Sequence, residues 1–412
     1  MKVSGLQANE IVAQFVRQSN LQIQTEGAHG VQLEFTGENG PFIAVLTKHP
    51  DATDYLTRTL PVSATIGNHV YRVQVRVEAI PSAGLGNVES EGKDNKTRRG
   101  PDGKVAGGSM CIGTVDGFYG TMGTAFRMRE WGSEKYRTVL LSNWNVLCNE
   151  LGNATPTGAK VHIKNSENDW EHMANLHSME KLQSTDNLWD MAIAEFIDAQ
   201  APAAEMLECG LGGQHQYTTT FATQVSDSDT AIYETTGAKY PRCASGKLIA
   251  MGAKRTIDYG DGIHRVFIEQ LVFEPISDNG DGGSVVVRRQ DQAIVGLIFA
   301  GTENVVTIAN PIYRYGLVIQ PVGELLLAPE NKGDPAPPWI KVGKRVTSSE
   351  WPNTMEYAIY GPPKVYHLSY KIFSVRYPWI EVKRHGAPAG IGTTGEVLFN
   401  VNLNATPVNV YS

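Results

Sequence analysis

The pattern of apolar and polar positions predicts a helix and then a small α/β unit at the start of the chain. Over residues 1–20 the apolar residues recur at helical spacing, at Ile11, Val12, Phe15 and Val16. The following elements are a strand at 32–35, a strand at 42–46, a short helix from Asp51 to Thr57 capped by Asp51, and an alternating strand at 71–77. These elements predict a small N-terminal α/β domain over residues 1–82.

From residue 109 the pattern changes to short apolar runs broken by Gly, Asn and Asp, and this continues to residue 328. Such spacing is typical of an all-β barrel or sandwich. Residues 83–108 are poor in apolar side chains and are predicted to be a linker or mobile loop, and the Pro-rich residues 329–338 a second linker. Residues 339–412 are again strand-like. The chain is therefore predicted to be mostly β, with a β-rich C-terminal extension.

Charge and composition narrow the classes of partner. The formal net charge of −7 argues against a general nucleic-acid binder. No apolar run approaches the roughly 18 residues that a membrane helix needs, and the first ten residues lack the apolar core of a signal peptide. We therefore expect no nucleic-acid partner, no membrane partner and a cytoplasmic location.

The four cysteines match no zinc-binding spacing. They are Cys111, Cys148, Cys209 and Cys243. In a reducing compartment they are expected to be small buried apolar groups, and a disulfide or a reactive thiol is the alternative. The sequence predicts neither a bound metal nor a cofactor.

One Gly-rich turn leads into a pair of strongly apolar segments. Residues 277–284 read Ser-Asp-Asn-Gly-Asp-Gly-Gly-Ser, and a β-branched run to Val287 follows. A second apolar run covers residues 293–301. This pattern predicts a sharp loop that enters a buried hairpin.

Several segments resemble, in the same order, those of the bacterial and plant group of trypsin-like serine proteases. The 277–284 turn resembles the nucleophile loop Gly-Asp-Ser-Gly-Ser, with Gly282 in the position of the serine. Residues 137–147 resemble the strand that leads to the histidine, with Asn145 in its place, and residues 187–194 resemble the aspartate segment, with Asp190 retained. Residues 120–126 and 307–312 resemble the first strand of the first barrel and the motif that closes the second. The resemblance covers residues 1–328 and implies a chymotrypsin-like double β-barrel.

The departures from this pattern imply a degenerate protease, or pseudoprotease. Triad hydrolysis needs a nucleophile and a base that takes its proton. Gly282 supplies no nucleophile, and the amide of Asn145 is not a base near neutral pH. Asp190 has no histidine in that position to orient, and it is either a remnant of the triad or a buried carboxylate hydrogen-bonded to Asn145. Ser284, Cys148 and the histidines His162, His172 and His177 are weaker substitutes, because none stands in a matching position.

What the resemblance still implies is a groove for a peptide or protein ligand. By position, the N–H groups of Gly280 and Gly282 correspond to the oxyanion donors of the family. Phe299, Ala300 and Gly301 correspond to the strand that walls the specificity pocket, and the edge of this strand is expected to pair with an extended peptide. A loop that is kept only because the barrel needs its turn is the alternative.

Two other functions are compatible with the sequence. Residues 339–384 are dense in Tyr and Trp and carry about five net positive charges, which is compatible with a homo-oligomer assembled through residues 339–412. An ordinary β domain with aromatic strands explains the same residues. The other function is that of an active endopeptidase with non-standard residues, in which Ser284 is the candidate nucleophile.

Overall fold

The computed structural model describes most of the chain up to residue 312 and, beyond it, only five short strands. The described residues are 3–24, 27–35, 40–83, 86–87, 110–113, 118–129, 136–148, 158–164, 170–179, 182–184, 186–197, 207–209, 213–215, 222, 225–226, 231–236, 243–260, 262–291, 293–312, 319–321, 354–361, 364–371, 380–385 and 396–399. The predicted linker 329–338 and nearly all of the predicted linker 83–108 lie outside them. The domain boundaries therefore stay a prediction.

The N-terminal unit consists of two helices and four strands. They are α1 (Gly5–Ser19), β1 (Ala28–Glu34), β2 (Phe42–Thr47), α2 (Pro50–Thr59), β3 (Ser63–Ile66) and β4 (His69–Val77). The predicted helix over residues 1–20 is confirmed as α1, which begins at a capping box between Ser4 and Gln7 and buries Ile11, Val12 and Phe15. The prediction that Asp51 caps the second helix is wrong. The helix already begins at Pro50, because the fixed φ of proline suits the first turn.

The first half of the central region is a closed β-barrel. Its elements, with a flanking hairpin, are β5 (Gly86–Asn87), β6 (Met110–Gly113), β7 (Phe118–Met122), β8 (Thr124–Arg129), β9 (Tyr136–Ser142), α3 (Trp144–Leu147), β10 (Lys160–Lys164), β11 (Trp170–Met179), β12 (Ala192–Phe196), β13 (Leu207–Cys209) and β14 (Gly213–His215). The strand order is β8-β9-β12-β11-β10-β6-β7. Only Gly123 separates β7 from β8, so one bent stretch supplies both ends of this order and the sheet closes on itself.

The second half closes in the same way. Its strands are β15 (Tyr233–Thr236), β16 (Cys243–Gly246), β17 (Leu248–Asp258), β18 (His264–Phe273), β19 (Val285–Arg288), β20 (Ala293–Thr302), β21 (Val306–Asn310) and β22 (Ile319–Pro321). The order is β16-β15-β19-β20-β21-β18-β17, and only Lys247 separates β16 from β17. β22 returns to pair with β8 of the first barrel. The predicted chymotrypsin-like double β-barrel is confirmed.

The N-terminal unit extends the sheet of the second barrel. β1 pairs antiparallel with β17, so that Gly30 lies opposite Arg255, and β2 pairs with both β1 and β4. The side chain of Arg255 is fully buried at this junction, donating to Gln32 Oε1 at 2.8 Å and to Glu78 Oε1 at 2.7 Å. A buried guanidinium requires such partners, so these contacts tie the N-terminal unit to the barrel.

One apolar core joins the two barrels. It contains Leu140 and Ala192 from the first barrel, and Phe267, Phe299 and Ile308 from the second. The rings of Phe267 and Phe299 are 4.6 Å apart between centroids. Because Phe299 belongs to this shared core, the strand predicted to wall the groove is held rigidly between the barrels.

The C-terminal extension contains an antiparallel sheet of four strands in the described residues. They are β23 (Thr354–Gly361), β24 (Lys364–Lys371), β25 (Ile380–His385) and β26 (Glu396–Phe399), in sequential order. The strand-like pattern predicted for residues 339–412 is confirmed for these stretches. Assembly of copies through this region remains a prediction. Among the described helices of the chain, none is long and apolar enough to cross a membrane.

Candidate peptide-binding cleft

The Gly-rich turn at Gly280–Ser284 lies where the two barrels meet. Gly280 and Gly283 have φ of 96° and 95°, which a residue with a side chain rarely adopts. A Cβ on Gly283 would lie 2.1 Å from the carbonyl oxygen of Thr121 and 2.3 Å from Oγ of Ser142. The turn therefore approaches the first barrel so closely that only glycine fits at residue 283.

Thr121 of β7 holds this turn from the other barrel. Its N–H donates to the carbonyl of Gly282 at 2.7 Å, and its hydroxyl donates to the carbonyl of Gly280 at 3.0 Å. Within the turn, the N–H of Asp281 donates to the carbonyl of Asp278. Among the described residues, no acceptor is found for the N–H groups of Gly280 and Gly282. Both residues are buried, and a buried N–H without a partner is costly unless a ligand or water supplies an acceptor.

Asp190 is one of several fully buried polar residues of the site. Its side chain is completely buried and accepts hydrogen bonds from the N–H of Trp144 at 2.6 Å, the N–H of Asn145 at 3.3 Å and the hydroxyl of Tyr259 at 2.7 Å. Burial raises its pKa to about 6, although the three donors act in the opposite direction. Burial and the neighbouring carboxylate raise the pKa of Tyr259 well above 10, so its hydroxyl remains a donor.

The backbone around Asp190 is held by Asn310 at the end of β21. The N–H of Asp190 donates to Asn310 Oδ1 at 3.0 Å, and Asn310 Nδ2 donates back to the Asp190 carbonyl at 3.0 Å. A second asparagine, Asn143, donates to the carbonyl of Ile298 at 2.7 Å. Both contacts cross between the barrels, so they fix the position of the cleft as well as that of the carboxylate.

Asn145 lies beside Asp190 but uses only its backbone. It belongs to the short helix α3 and is 2% exposed. Neither Oδ1 nor Nδ2 of its side chain has a hydrogen-bond partner among the described residues. The expected link between Asn145 and Asp190 thus runs through the main chain, and the side-chain amide at the histidine position is unsatisfied.

A cavity of about 140 Å³ opens beside the turn. Its lining includes Gly282 of the turn, Phe299, Ala300 and Gly301 of β20, and Ser82 from the end of the N-terminal unit. Small-molecule sites usually enclose roughly 300–1,000 Å³, so this cavity suits a single side chain better than a whole small ligand. The structure thus places Gly282 and residues 299–301 around one space, while Asn145 and Asp190 lie together in the adjoining buried network.

Of the weaker candidates from the sequence, Ser284 belongs to the turn itself, Cys148 lies close to Asp190, and the three histidines lie on β10 and β11. Ser284 is 1% exposed, and its Oγ has no hydrogen-bond partner in the described part of the chain. Burial raises the pKa of the Cys148 thiol, whose sulfur lies 3.2 Å from that of Met179. His162 and His172 face each other across β10 and β11, with ring centroids 5.6 Å apart. Every described side-chain contact of Asp190 is with a residue other than histidine.

Several residues of the site were missed by sequence reasoning. Asn143 and Asn310 lie inside segments that resemble the protease pattern, so their positions carried a signal that was not interpreted. Tyr259 and Ser82 lie just outside the strands, in stretches with no distinctive sequence pattern. Tyr259 is 69 residues from its partner Asp190, and only the folded structure brings them together.

No family model matches the chain, and no curated protein matches it. The chain is similar to the solved structure of Thermobifida fusca protease A, with 15% identity and a TM-score of 0.36 over 52% of this chain and 96% of that one. Cellulomonas bogoriensis chymotrypsin is 13% identical to this chain, with a TM-score of 0.36 over 53% of this chain and 98% of that one. Tobacco vein mottling virus protease is 12% identical, with a TM-score of 0.25 over 49% of this chain and 75% of that one. At these identities and TM-scores the similarities assign no activity, substrate or partner to this chain.

Proposed function

We propose that this chain is a catalytically inactive homologue of chymotrypsin-fold serine proteases that binds an extended peptide or a partner chain in its cleft. The observation that carries the proposal is the cleft itself. The turn with the N–H groups of Gly280 and Gly282 lies beside a cavity for one side chain, while the two reactive positions hold Asn145 and Gly282. Peptide binding needs the N–H groups of the turn and the cavity. Hydrolysis needs a nucleophile and a base, and residues 282 and 145 supply neither.

The amides of the turn supply the polar part of this function. N–H groups that converge on a carbonyl oxygen or a terminal carboxylate bind it in the ground state, with no bond broken. The cavity beside Phe299, Ala300 and Gly301 then accepts one side chain of the ligand. Without a hydroxyl at residue 282 and without an imidazole at residue 145, a bound peptide has no nucleophile to attack it from those positions.

The geometry of Ser284 supports inactivity over an unorthodox enzyme. An active serine needs a base within hydrogen-bond reach of its hydroxyl. Oγ of Ser284 is buried without such a partner among the described residues. We therefore expect a fluorophosphonate probe to leave the protein unlabelled, and labelling that Ser284→Ala abolishes would contradict the proposal.

The direct test is a titration with fluorescent extended peptides up to millimolar concentration, followed by anisotropy. Ala300→Phe fills the cavity and is expected to abolish binding, because the residue lines the cavity and is 4% exposed. Val62→Phe on the exposed surface of the N-terminal unit is the matched control and should bind as the parent does. Chromatography of the peptide after incubation should show no cleavage. Absence of saturable binding, or equal binding by Ala300→Phe, would remove the proposal.

A further inference from the structure

The edge of β20 that is predicted to pair with a peptide already carries a piece of the chain itself. The N–H of Ser82 donates to the carbonyl of Gly301 at 2.9 Å, and the N–H of Gly301 donates back to the carbonyl of Ser82 at 3.0 Å. The two residues form an antiparallel bridge. This is the reciprocal pairing by which an extended ligand adds itself to an exposed sheet edge.

Ser82 is held on its other side by the end of β17. The N–H of Ala83 donates to the carbonyl of Asp258 at 2.8 Å, and the N–H of Asp258 donates to the carbonyl of Pro81 at 2.8 Å. Ser82 therefore lies between two strands of the second barrel, where it also lines the cavity beside Gly282. Residues 81–83 are called the resident segment below.

The chain continues from the resident segment to the first barrel. Gly86 and Asn87 pair antiparallel with Tyr119 and Phe118 of β7, whose Thr121 holds the carbonyl of Gly282. Within a few residues, this stretch of chain thus pairs with the second barrel at Ser82 and with the first barrel at Gly86 and Asn87, on either side of the turn at Gly282. An extended peptide that uses the cleft must cross between the same two barrels.

We propose that the resident segment is an intramolecular ligand of the cleft, which an external peptide must displace in order to bind. This inference rests on the proposed peptide-binding function and adds its regulation. It also defines the ligand class as an extended peptide with a free N–H and a small side chain opposite Gly301, as Ser82 has. A Cβ at residue 301 would lie 2.7 Å from the carbonyl of Val306, so the pairing of β20 with β21 requires glycine at this position. Because the resident segment is tethered, it competes at an effective concentration on the order of millimolar.

The variant Ser82→Pro tests the proposal, because proline removes the N–H that donates to Gly301. It keeps both main-chain groups that pair with Asp258, the Pro81 carbonyl and the Ala83 N–H. A fluorescent peptide that copies residues 79–87 is expected to bind this variant roughly tenfold more tightly than the parent, the change expected from loss of one such hydrogen bond. Ser63→Pro, the same substitution at the exposed start of the edge strand β3, is the matched control and should bind as the parent does.

Amide hydrogen exchange gives a second measurement that needs no variant. In the parent without peptide, the amides of Ser82 and Gly301 should both be protected. Saturating peptide should expose the Ser82 amide and leave that of Gly301 protected by the new ligand. A freely exchanging Ser82 amide in the unliganded parent would overturn the proposal.

The outcomes separate this inference from the proposed function. Equal peptide affinity of the parent and Ser82→Pro would overturn the displacement model and leave a peptide-binding cleft. No binding by either protein would remove the proposed function and this inference with it. If Ser82→Pro fails to fold, the exchange measurement on the parent decides.

Discussion

Asn143 and Asn145 stand two residues apart after β9 and are both buried, yet their side chains differ in hydrogen bonding. Asn143 Nδ2 donates to the carbonyl of Ile298 across the barrel interface, although its Oδ1 has no partner among the described residues, whereas neither atom of the Asn145 amide has one there. The same contrast divides the site. The supporting region, defined by Thr121, Ser142, Asn143, Asp190 and Asn310, is extensively hydrogen-bonded, and the reactive region, defined by Asn145, Gly282 and Ser284, contains a glycine and two unsatisfied side chains.

This difference indicates that the side chains at the reactive positions contribute little to the geometry of the cleft, whereas the backbone of the turn is part of it. Buried polar groups stabilise a fold when their partners are present and destabilise it when they are not. The supporting region should therefore be intolerant of substitution, and the reactive region tolerant. Four substitution experiments test this contrast.

The largest effect is expected for Gly283→Ala. Its Cβ would collide with the Thr121 carbonyl and Ser142 Oγ in addition to the strain of φ 95°, so we expect a loss of about 3 kcal/mol or more in the free energy of unfolding. Gly260→Ala is the matched control, because its φ is 86° but no atom lies within 4 Å of its Cβ, and it should cost about 1 kcal/mol. Urea denaturation measures both, and equal losses would contradict the steric explanation.

The next effect is the pH dependence that Asp190 contributes. Its pKa is raised from 3.8 to about 6 on folding, so the folded state binds the proton more tightly than the unfolded chain. The stability contributed by this group is fully present below about pH 4 and is lost as the pH rises through about 6, by roughly 2–3 kcal/mol. Asp190→Asn should remove this slope from urea denaturation curves between pH 4 and 7.

The control for this experiment is Asp51→Asn, on the exposed first turn of α2, which should keep the slope of the parent. Comparison of each variant with the parent cancels the titration of other groups, such as Glu78, whose lowered pKa acts in the opposite direction. If Asp190→Asn has the same slope as the parent, the carboxyl does not titrate in this range.

A smaller effect should separate the two asparagines. Asn143→Leu removes the donor to Ile298 and is expected to cost about 1–3 kcal/mol. Asn145→Leu removes an amide that has no partner in the described part of the chain, and it should leave stability within about 1 kcal/mol of the parent or raise it. Thermal unfolding of the two variants under one condition gives the ranking, and the reverse order would show that the supporting region does not include Asn143.

The smallest effect is expected for Ser284→Ala. The residue keeps its backbone bonds to Asp281 and Ile298 and loses only a hydroxyl without a partner among the residues that the structure describes. Stability should therefore stay within about 0.5 kcal/mol of the parent. Ser277→Ala is the matched control, because Ser277 Oγ lies 2.8 Å from Thr307 Oγ1, and its loss should cost about 1 kcal/mol. A larger loss for Ser284→Ala would give this hydroxyl a partner that the described contacts lack.

Much of the fold was predictable because its determinants are local. The helical spacing that ends at Val16, the alternation over residues 71–77 and the short apolar runs after residue 109 each reflect which side of an element is buried. The closure of the barrels was not predictable from such patterns. It depends on the bends at Gly123 and Lys247, and these are recognised only when both neighbours of the bent strand are known.

The candidate site was predictable only in part. Recognisable sequence segments surround Asp190, Asn145 and the turn at Gly280 to Ser284. Only the resemblance to the protease family related these positions to a catalytic triad. The hydroxyl of Tyr259 on Asp190 and the pairing of Ser82 with Gly301 join residues that are far apart in the chain. No local pattern encodes such contacts, because each depends on the path of the backbone between them.

The sequence by itself determined the chemical identity of the site: no hydroxyl at residue 282, no imidazole at residue 145, and a Gly-rich turn before two buried strands. Those are properties of residue types and their order. The tertiary structure alone decided that the Asn145 amide has no partner among the described residues, that Tyr259 donates to Asp190, and that Ser82 lies on the edge of β20. The reason is physical, since burial, pKa and strand pairing all depend on which groups meet in space.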